Sequence, residues 1–152
     1  MEYFIDRDLG KYDFPEYLRA HGITAHAHGA YFPQDAQDQD WIPEVAARGW
    51  VIVAADKMVL HRPLELAAVM QSSARFINLT GGHAKALDLA INFVNTIEKI
   101  ERFIETHTPP FVAKVTRPSP VDKVQHGVPG TITLKMDYAG WLRSPRSERF
   151  RP

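Results

Sequence analysis

Six apolar residues, Trp50 to Ala55, run directly into Asp56 and Lys57. A strand built from this run is apolar on both sides, which is typical of a central strand in a parallel sheet covered by helices on both faces. Other short apolar runs bounded by turn residues predict further strands. These strands are predicted at residues 3–5, 23–28, 75–79 and 111–115.

Helical patterns alternate with these strands. Asp13, Pro15 and Glu16 are typical of a helix start, and further helices are predicted over Trp41–Arg48 and Pro63–Met70. Apolar residues at three- and four-residue steps from Leu87 to Ile104 predict one long amphipathic helix. The alternation predicts an α/β fold, a three-layer α/β/α domain around a central, mostly parallel sheet of four to five strands.

The chain divides by charge and pattern near residue 117. We predict a domain over residues 1–117 and a basic C-terminal extension over 118–152. From Lys114 onward there are eight basic residues and three acidic ones, although the net charge of the whole chain is zero. Residues 131–136 could add one strand, whereas 117–130 and 140–152 are predicted to be loop or tail.

The 152 residues contain no cysteine, which excludes disulfides, zinc–thiolate sites and thiol catalysis. No apolar run approaches the roughly 18–20 residues of a membrane span. The first residues, Met1 to Asp6, lack the basic start and long apolar stretch of a signal peptide. These features predict a cytoplasmic protein without a membrane partner.

Acidic residues follow three of the predicted strands, and the carboxyl ends of parallel strands are where ligands bind in such folds. Clustered carboxylates repel one another unless a cation neutralises them. Mg²⁺ and Mn²⁺ prefer oxygen ligands, and such an ion can activate water for phosphoryl displacement. The acids are Asp6 and Asp8 after the first strand, Asp35, Asp38 and Asp40 after the second, and Asp56 after the third.

Some of these acids could have a structural role instead of binding a metal. Asp40 lies where a helix N-cap belongs, Asp38 could be solvated, and Asp8 could cap a turn. Glu65, on the following helix, is either a fourth ligand or a surface acid. Asp56 is the strongest candidate, because an acid directly after a buried strand emerges at the edge where the site would lie.

Three segments together resemble the PIN-like domains of the VapC toxin type, which are ribonucleases of toxin–antitoxin pairs. They are Phe4–Leu9, then Phe32–Asp35 with Asp38–Trp41, then Gly49–Lys57. Residues 62–67 and 109–113 extend the resemblance, which covers roughly residues 1 to 117.

The resemblance implies a PIN fold, ribonuclease activity with Mg²⁺ or Mn²⁺, a homodimer, an RNA substrate and a protein antitoxin. It matches Asp6, Asp38 and Asp56 to the metal-binding catalytic acids of the family. Further candidate metal ligands are Asp8, Asp40 and Glu65, and candidate phosphate contacts are Lys57 and Arg7.

Three alternatives remain open. A phospho-acceptor receiver domain would use Asp56 as the acceptor with Asp6, Asp8, Thr80 and Lys114 around it. A haloacid-dehalogenase-like phosphatase would use Asp6 as nucleophile and Asp8 as acid–base group. A PIN-like domain without activity would only bind a partner. Phosphorylation of Asp56 distinguishes the first, and an activity assay distinguishes the last.

Overall fold

One six-stranded sheet runs through the computed structural model, which describes residues 1–9, 13–80, 86–118 and 127–150. The strand order is β2-β1-β3-β4-β5-β6, in which the first five strands are parallel and β6 is antiparallel to β5. The predicted mostly parallel α/β sheet is confirmed, with one strand more than the four to five expected. The strands are β1 (Glu2–Ile5), β2 (Thr24–Ala27), β3 (Val51–Ala54), β4 (Arg75–Thr80), β5 (Phe111–Thr116) and β6 (Thr131–Asp137).

Helices cover both faces of the sheet, as a parallel sheet requires. On one face the side chains of α1, α4 and α5 pack against Tyr3, Ile5 and their neighbours in one core cluster. On the other face α2, α3 and Trp141 of α6 pack around Phe4 and Ile52 in a second cluster. The helices are α1 (Asp13–Ala20), α2 (Asp38–Ala47), α3 (Pro63–Gln71), α4 (Ala86–Asn95), α5 (Ile97–Thr106) and α6 (Tyr138–Arg143).

The connection from β4 to β5 has the opposite hand to the other parallel connections. The steps from β3 to β4 and from β4 to β5 go in the same direction across the sheet, yet α3 lies on one face and α4 and α5 lie on the other. The connections through α1, α2 and α3 agree with one another in hand. Because about 98% of such crossovers are right-handed, the β4–β5 connection is the left-handed exception. On the α3 face, β4 and β5 are therefore covered by α3 and α6 and not by the helices that connect them.

The single helix predicted from Leu87 to Ile104 is two helices, so that prediction was wrong. α4 ends at Asn95 and α5 begins at Ile97, with a break at Thr96. The Thr96 hydroxyl donates to the carbonyl of Asn92 at 2.6 Å and accepts from the backbone N–H of Gly130 at 2.9 Å. A threonine that bonds back to its own helix bends it, and the second contact fixes this bend.

Helix α2 begins at Asp38, three residues before the predicted start at Trp41. Pro43 led the prediction to place the first turn there, but it lies inside the helix, where it removes one backbone hydrogen bond. The N-cap is Gln37, whose side chain makes no capping hydrogen bond. Asp40 is therefore an exposed residue of the first turn, and its predicted N-cap position was wrong.

Much of the segment predicted to be loop or tail after residue 140 is ordered structure. Asp137 caps α6 by accepting from the backbone N–H of Gly140 at 2.7 Å. Trp141, which is 2% exposed, packs together with Phe150 into the second core cluster, on the face of the sheet that α3 covers. The large apolar ring outweighs the polar composition that suggested a tail. Residues 119–126 and 151–152 lie outside the described ranges, and the domain boundary near 117 stays a prediction.

Candidate acidic metal centre

The carboxyl ends of β1 and β3 lie side by side, because these strands pair in parallel at the centre of the sheet. The backbone N–H of Asp6, directly after β1, donates to the carbonyl of Val53 at 2.9 Å. For the strand order 2-1-3-4-5, the crevice between β1 and β3 is the point where the chain reverses its winding and where ligands bind. The topology therefore places Asp6 and Asp56 at that crevice.

Asp56 is held from several sides. Its backbone N–H donates to Oδ1 of Asn78 at 2.8 Å, and Nδ2 of Asn78 donates to the carbonyl of Asp56 at 2.6 Å. Its carboxylate accepts from the backbone N–H of Met58 at 2.9 Å and from Nη1 of Arg62 at 3.0 Å. With 7% exposure, Asp56 is a buried acid whose position is set by the neighbouring strand β4.

Asp38 reaches the same crevice from the first turn of α2. Its Oδ1 accepts from Nε1 of the buried Trp41 at 3.0 Å and lies 3.3 Å from Nη2 of Arg7. Nη1 of Arg7 also donates to the carbonyls of Gln34 and Ala36 at 2.9 and 2.8 Å. Arg7 thus ties the loop before α2 to the end of β1 and fixes the orientation of the Asp38 carboxylate.

Glu65 completes the cluster from the start of α3. Its Oε2 lies 3.5 Å from Nη1 of Arg62 but, among the described residues, this buried atom accepts no hydrogen bond. Burial and the negative charge of Asp38 raise the pKa of Glu65, and the positive charge of Arg62 opposes them. A buried carboxylate oxygen without a hydrogen bond is costly to a fold, and the ion pair with Arg62 offsets only part of that cost for Glu65.

Oxygen atoms of Asp38, Asp56 and Glu65 lie within 4.8 Å of one another. Three carboxylates at this separation repel strongly, and a divalent cation with oxygen ligands relieves that repulsion. The donors are all hard oxygens, which suit Mg²⁺ or Mn²⁺. Together with the unsatisfied oxygen of Glu65, this donor set fits the divalent metal that the resemblance implies.

Asp6 and Asp8 stand next to this group without belonging to it. Burial, assisted by the charges of Asp8 and Asp38, raises the pKa of Asp6 to about 7. Burial of the Asp8 carboxyl and the charges of Asp56 and Asp38 raise its pKa as well. Both carboxyls therefore respond to the negative potential of the cluster, which is typical of a functional site.

The other predicted site residues lie further out. Asp40 is exposed on α2 and is not among the three acids whose oxygens converge. Lys57 is exposed and lines a cavity beside Asp56. The guanidinium of Arg7 is occupied by the contacts with Asp38 and two carbonyls, so its predicted phosphate contact would compete with them.

Two residues of this site were not singled out from the sequence. Arg62 makes ion pairs with Asp56 and Glu65, and its position directly before the helix-starting Pro63 was the only signal. Asn78 is a polar residue among the apolar residues of a predicted strand. A side-chain amide at such a position indicates a buried group that makes hydrogen bonds.

Within the described parts of the chain, no helix is long and apolar enough to cross a membrane.

Comparisons with known proteins identify the family. A family model described as a PIN like domain matches residues 1–81, which is more than half of the 152 residues. The matched segment contains all three acids of the cluster and Arg62. No curated protein and no solved structure matches the chain. The family match and the acidic crevice agree, and the chain belongs to the PIN-like domain family.

Proposed function

We propose that this protein is a metal-dependent ribonuclease that hydrolyses RNA phosphodiester bonds. PIN domains are usually nucleases, and the chain carries this domain over residues 1–81. The observation that carries the proposal is the convergence of three carboxylates, Asp38, Asp56 and Glu65, within 4.8 Å at the carboxyl end of the sheet.

In this proposal the three acids hold one divalent cation, Mg²⁺ or Mn²⁺, and Asp6 supports them from the end of β1. A bound cation of this kind supplies Lewis-acid stabilisation of phosphoryl charge and lowers the pKa of a bound water. Asn78 fixes the backbone of Asp56, and Arg7 with Trp41 orients Asp38. These contacts preorganise the carboxylates, which avoids reorganisation during the reaction.

The test is cleavage of a fluorescent single-stranded RNA by purified wild type and Asp56→Asn with Mn²⁺, Mg²⁺ or EDTA. We expect metal-dependent cleavage that falls by about 10²-fold or more in the variant, because one charged ligand is lost. Calorimetric titration with Mn²⁺ should show weaker binding by the same variant. Glu105→Gln, which removes an exposed acid of α5 on the opposite face of the sheet, is the matched control.

The alternatives give different results in the same experiments. An inactive binding module would bind Mn²⁺ or a partner without cleaving RNA. A receiver-like domain would take up phosphate from acetyl phosphate at Asp56, and a phosphatase would hydrolyse a small phosphate ester through Asp6. Full cleavage by Asp56→Asn would contradict the assignment of the metal site.

We also propose, from the resemblance to the VapC type, that the protein acts as the toxin of a toxin–antitoxin pair, in the cytoplasm and as a homodimer. Expression of wild type in a bacterial host should then arrest growth, whereas Asp56→Asn should not. Light scattering of the purified protein should give twice the 17.2 kDa mass of the chain. Unchanged growth on expression of wild type would contradict the toxin role. The nuclease proposal would then be tested by the cleavage assay alone.

A further inference from the structure

A cavity of about 340 Å³ lies beside the acidic cluster and is lined by three lysines. This volume falls within the range of small-molecule and nucleotide sites. Its polar lining contains no acid among the described residues, in contrast to the crevice next to it. The lining residues are Lys57, Val59, Leu60, Asn78, Thr80, Val112, Ala113, Lys114 and Lys135.

The cavity lies on the face of β4 and β5 that the helices of their left-handed connection do not cover. Asn78 and Lys114 are register partners on these strands and point to the α3 face, as Val112 does. Since α4 and α5 cover the opposite face, no helix follows β4 on this side to fill the space. Lys135 reaches it from β6 at the bulge opposite Val112 and Ala113.

None of the three lysines makes an ion pair or a side-chain hydrogen bond within the described ranges. The ion pairs there involve other cations, Arg7, His26 and Arg62. Three ammonium groups around one cavity repel each other, and an anion bound between them relieves that repulsion. Lys114 is half-buried in the middle of β5, and its side chain lines the cavity.

Asn78 joins the cavity to the acidic cluster. It lines the cavity, and its side-chain amide makes both hydrogen bonds to the backbone of Asp56. Lys57, which follows Asp56 in the sequence, also lines the cavity. An acidic cation site and a basic anion site thus share a wall, which suits a ligand with phosphates at successive positions.

We infer that this cavity binds the phosphate of a nucleotide neighbouring the cleaved phosphodiester in a single RNA strand, with the sugar or base against Val59, Leu60 and Val112. This inference rests on the proposed ribonuclease function and names a subsite for its substrate. Lysines act as point charges toward a phosphate, and apolar walls accept a base without selecting its identity.

The test measures binding of a fluorescent RNA octamer in EDTA, so that no cleavage occurs. We expect Lys114→Gln/Lys135→Gln to bind about tenfold more weakly than wild type. The slope of log K against log salt should fall in magnitude by about 0.7, because the cavity holds one phosphate and each neutralised phosphate contributes roughly 0.7 for single strands. Arg102→Gln, which removes one exposed charge from α5 on the other face, should change neither quantity.

The single variant Lys135→Gln is the control for a folding defect in the double variant. Because Lys135 is exposed, its substitution should leave the fold intact. About threefold weaker binding is expected for it. Equal binding by wild type and both lysine variants would overturn the inference, as would an equal loss in Arg102→Gln. A wild type that binds inorganic phosphate but not the RNA would overturn the assignment to a nucleic acid strand.

Cleavage in Mn²⁺ separates this inference from the proposed function. The double lysine variant should raise KM with little change in kcat, since its contacts are made equally in ground and transition states. Asp56→Asn should lose cleavage but keep RNA binding in EDTA. Metal-dependent cleavage with unaltered RNA binding in the lysine variants would reject the subsite and leave the nuclease intact.

Discussion

Arg62 donates from Nη1 to Oδ2 of Asp56 across 3.0 Å, and the same nitrogen lies 3.5 Å from Glu65. A guanidinium thus stands at the position where the acids would share a cation. Half of the Arg62 side chain is exposed, at 49%, so it can move into solvent when a cation takes its place. The negative charge of Asp56 raises the pKa of Arg62, so it is charged at every relevant pH.

Arg62→Ala is expected to bind Mn²⁺ several-fold more tightly than wild type, because the competing cation is removed. Stability without metal should fall by about 1–3 kcal/mol, since the buried carboxylate of Asp56 loses its charged hydrogen-bond donor. Calorimetric titration and urea unfolding in EDTA measure these quantities. Arg102→Ala is the control, and weaker Mn²⁺ binding by Arg62→Ala would instead show that Arg62 supports the bound state.

Asn78→Ala is expected to destabilise the protein by about 1–3 kcal/mol, because it leaves the buried N–H and carbonyl of Asp56 without partners. Mn²⁺ affinity should fall with it as Asp56 loses its fixed position. Asn78→Gln keeps the amide and moves it by one methylene, so it should show a similar loss. Wild-type affinity in both variants would mean that Asp56 is held without Asn78.

Asp6 makes the metal-free protein less stable as the pH rises. Its pKa is about 7 in the folded state and near 3.8 without burial, so the folded state holds the proton more tightly. Stability is therefore lost between pH 4 and 7, by about 4 kcal/mol at most. Asp6→Asn should show a smaller decline over this range in urea unfolding with EDTA. Parallel pH profiles for the two proteins would contradict the raised pKa.

Trp141→Ala is expected to cost about 3–5 kcal/mol, as is usual when a large buried ring is removed. Leu142→Ala, in the same helix, is the matched control because Leu142 is 37% exposed. Thermal and urea unfolding measure both. A loss as small as that of the control would show that the segment after β5 packs loosely on the rest of the fold.

The sheet was largely predictable from the sequence, because β1, β3 and β5 are short apolar runs that end in polar residues. Their apolar character reflects burial on both faces, which leaves a clear pattern. The break at Thr96 was not predictable, since the apolar stripe continues through it and the contact with Gly130 comes from a distant segment. Helix α6 was not predicted, because a single buried tryptophan anchors it and one apolar residue gives no helical periodicity.

For the site, the residue pattern indicated which acids emerge at the carboxyl ends of strands, and only the family resemblance selected Asp6, Asp38 and Asp56 among them. Asp38 and Asp40 have the same chemistry two residues apart, and only the start of α2 decides which one faces the crevice. Glu65 depends in the same way on the start of α3. Arg62 was not predicted as a site residue, because a single arginine forms no recognisable sequence pattern. Its role depends on the folded positions of Asp56 and Glu65.

The paired hydrogen bonds between Asp56 and Asn78 have a consequence for the time scale of motion at the site. They continue the ladder of β3 and β4 beyond Ala54, with a side-chain amide in the place of a backbone group. Residues after a strand ordinarily open in local fluctuations, whereas central strands open only on global unfolding. The amide proton of Asp56 should therefore exchange with solvent as slowly as those of β3, so the backbone of this proposed metal ligand should open only when the central sheet opens.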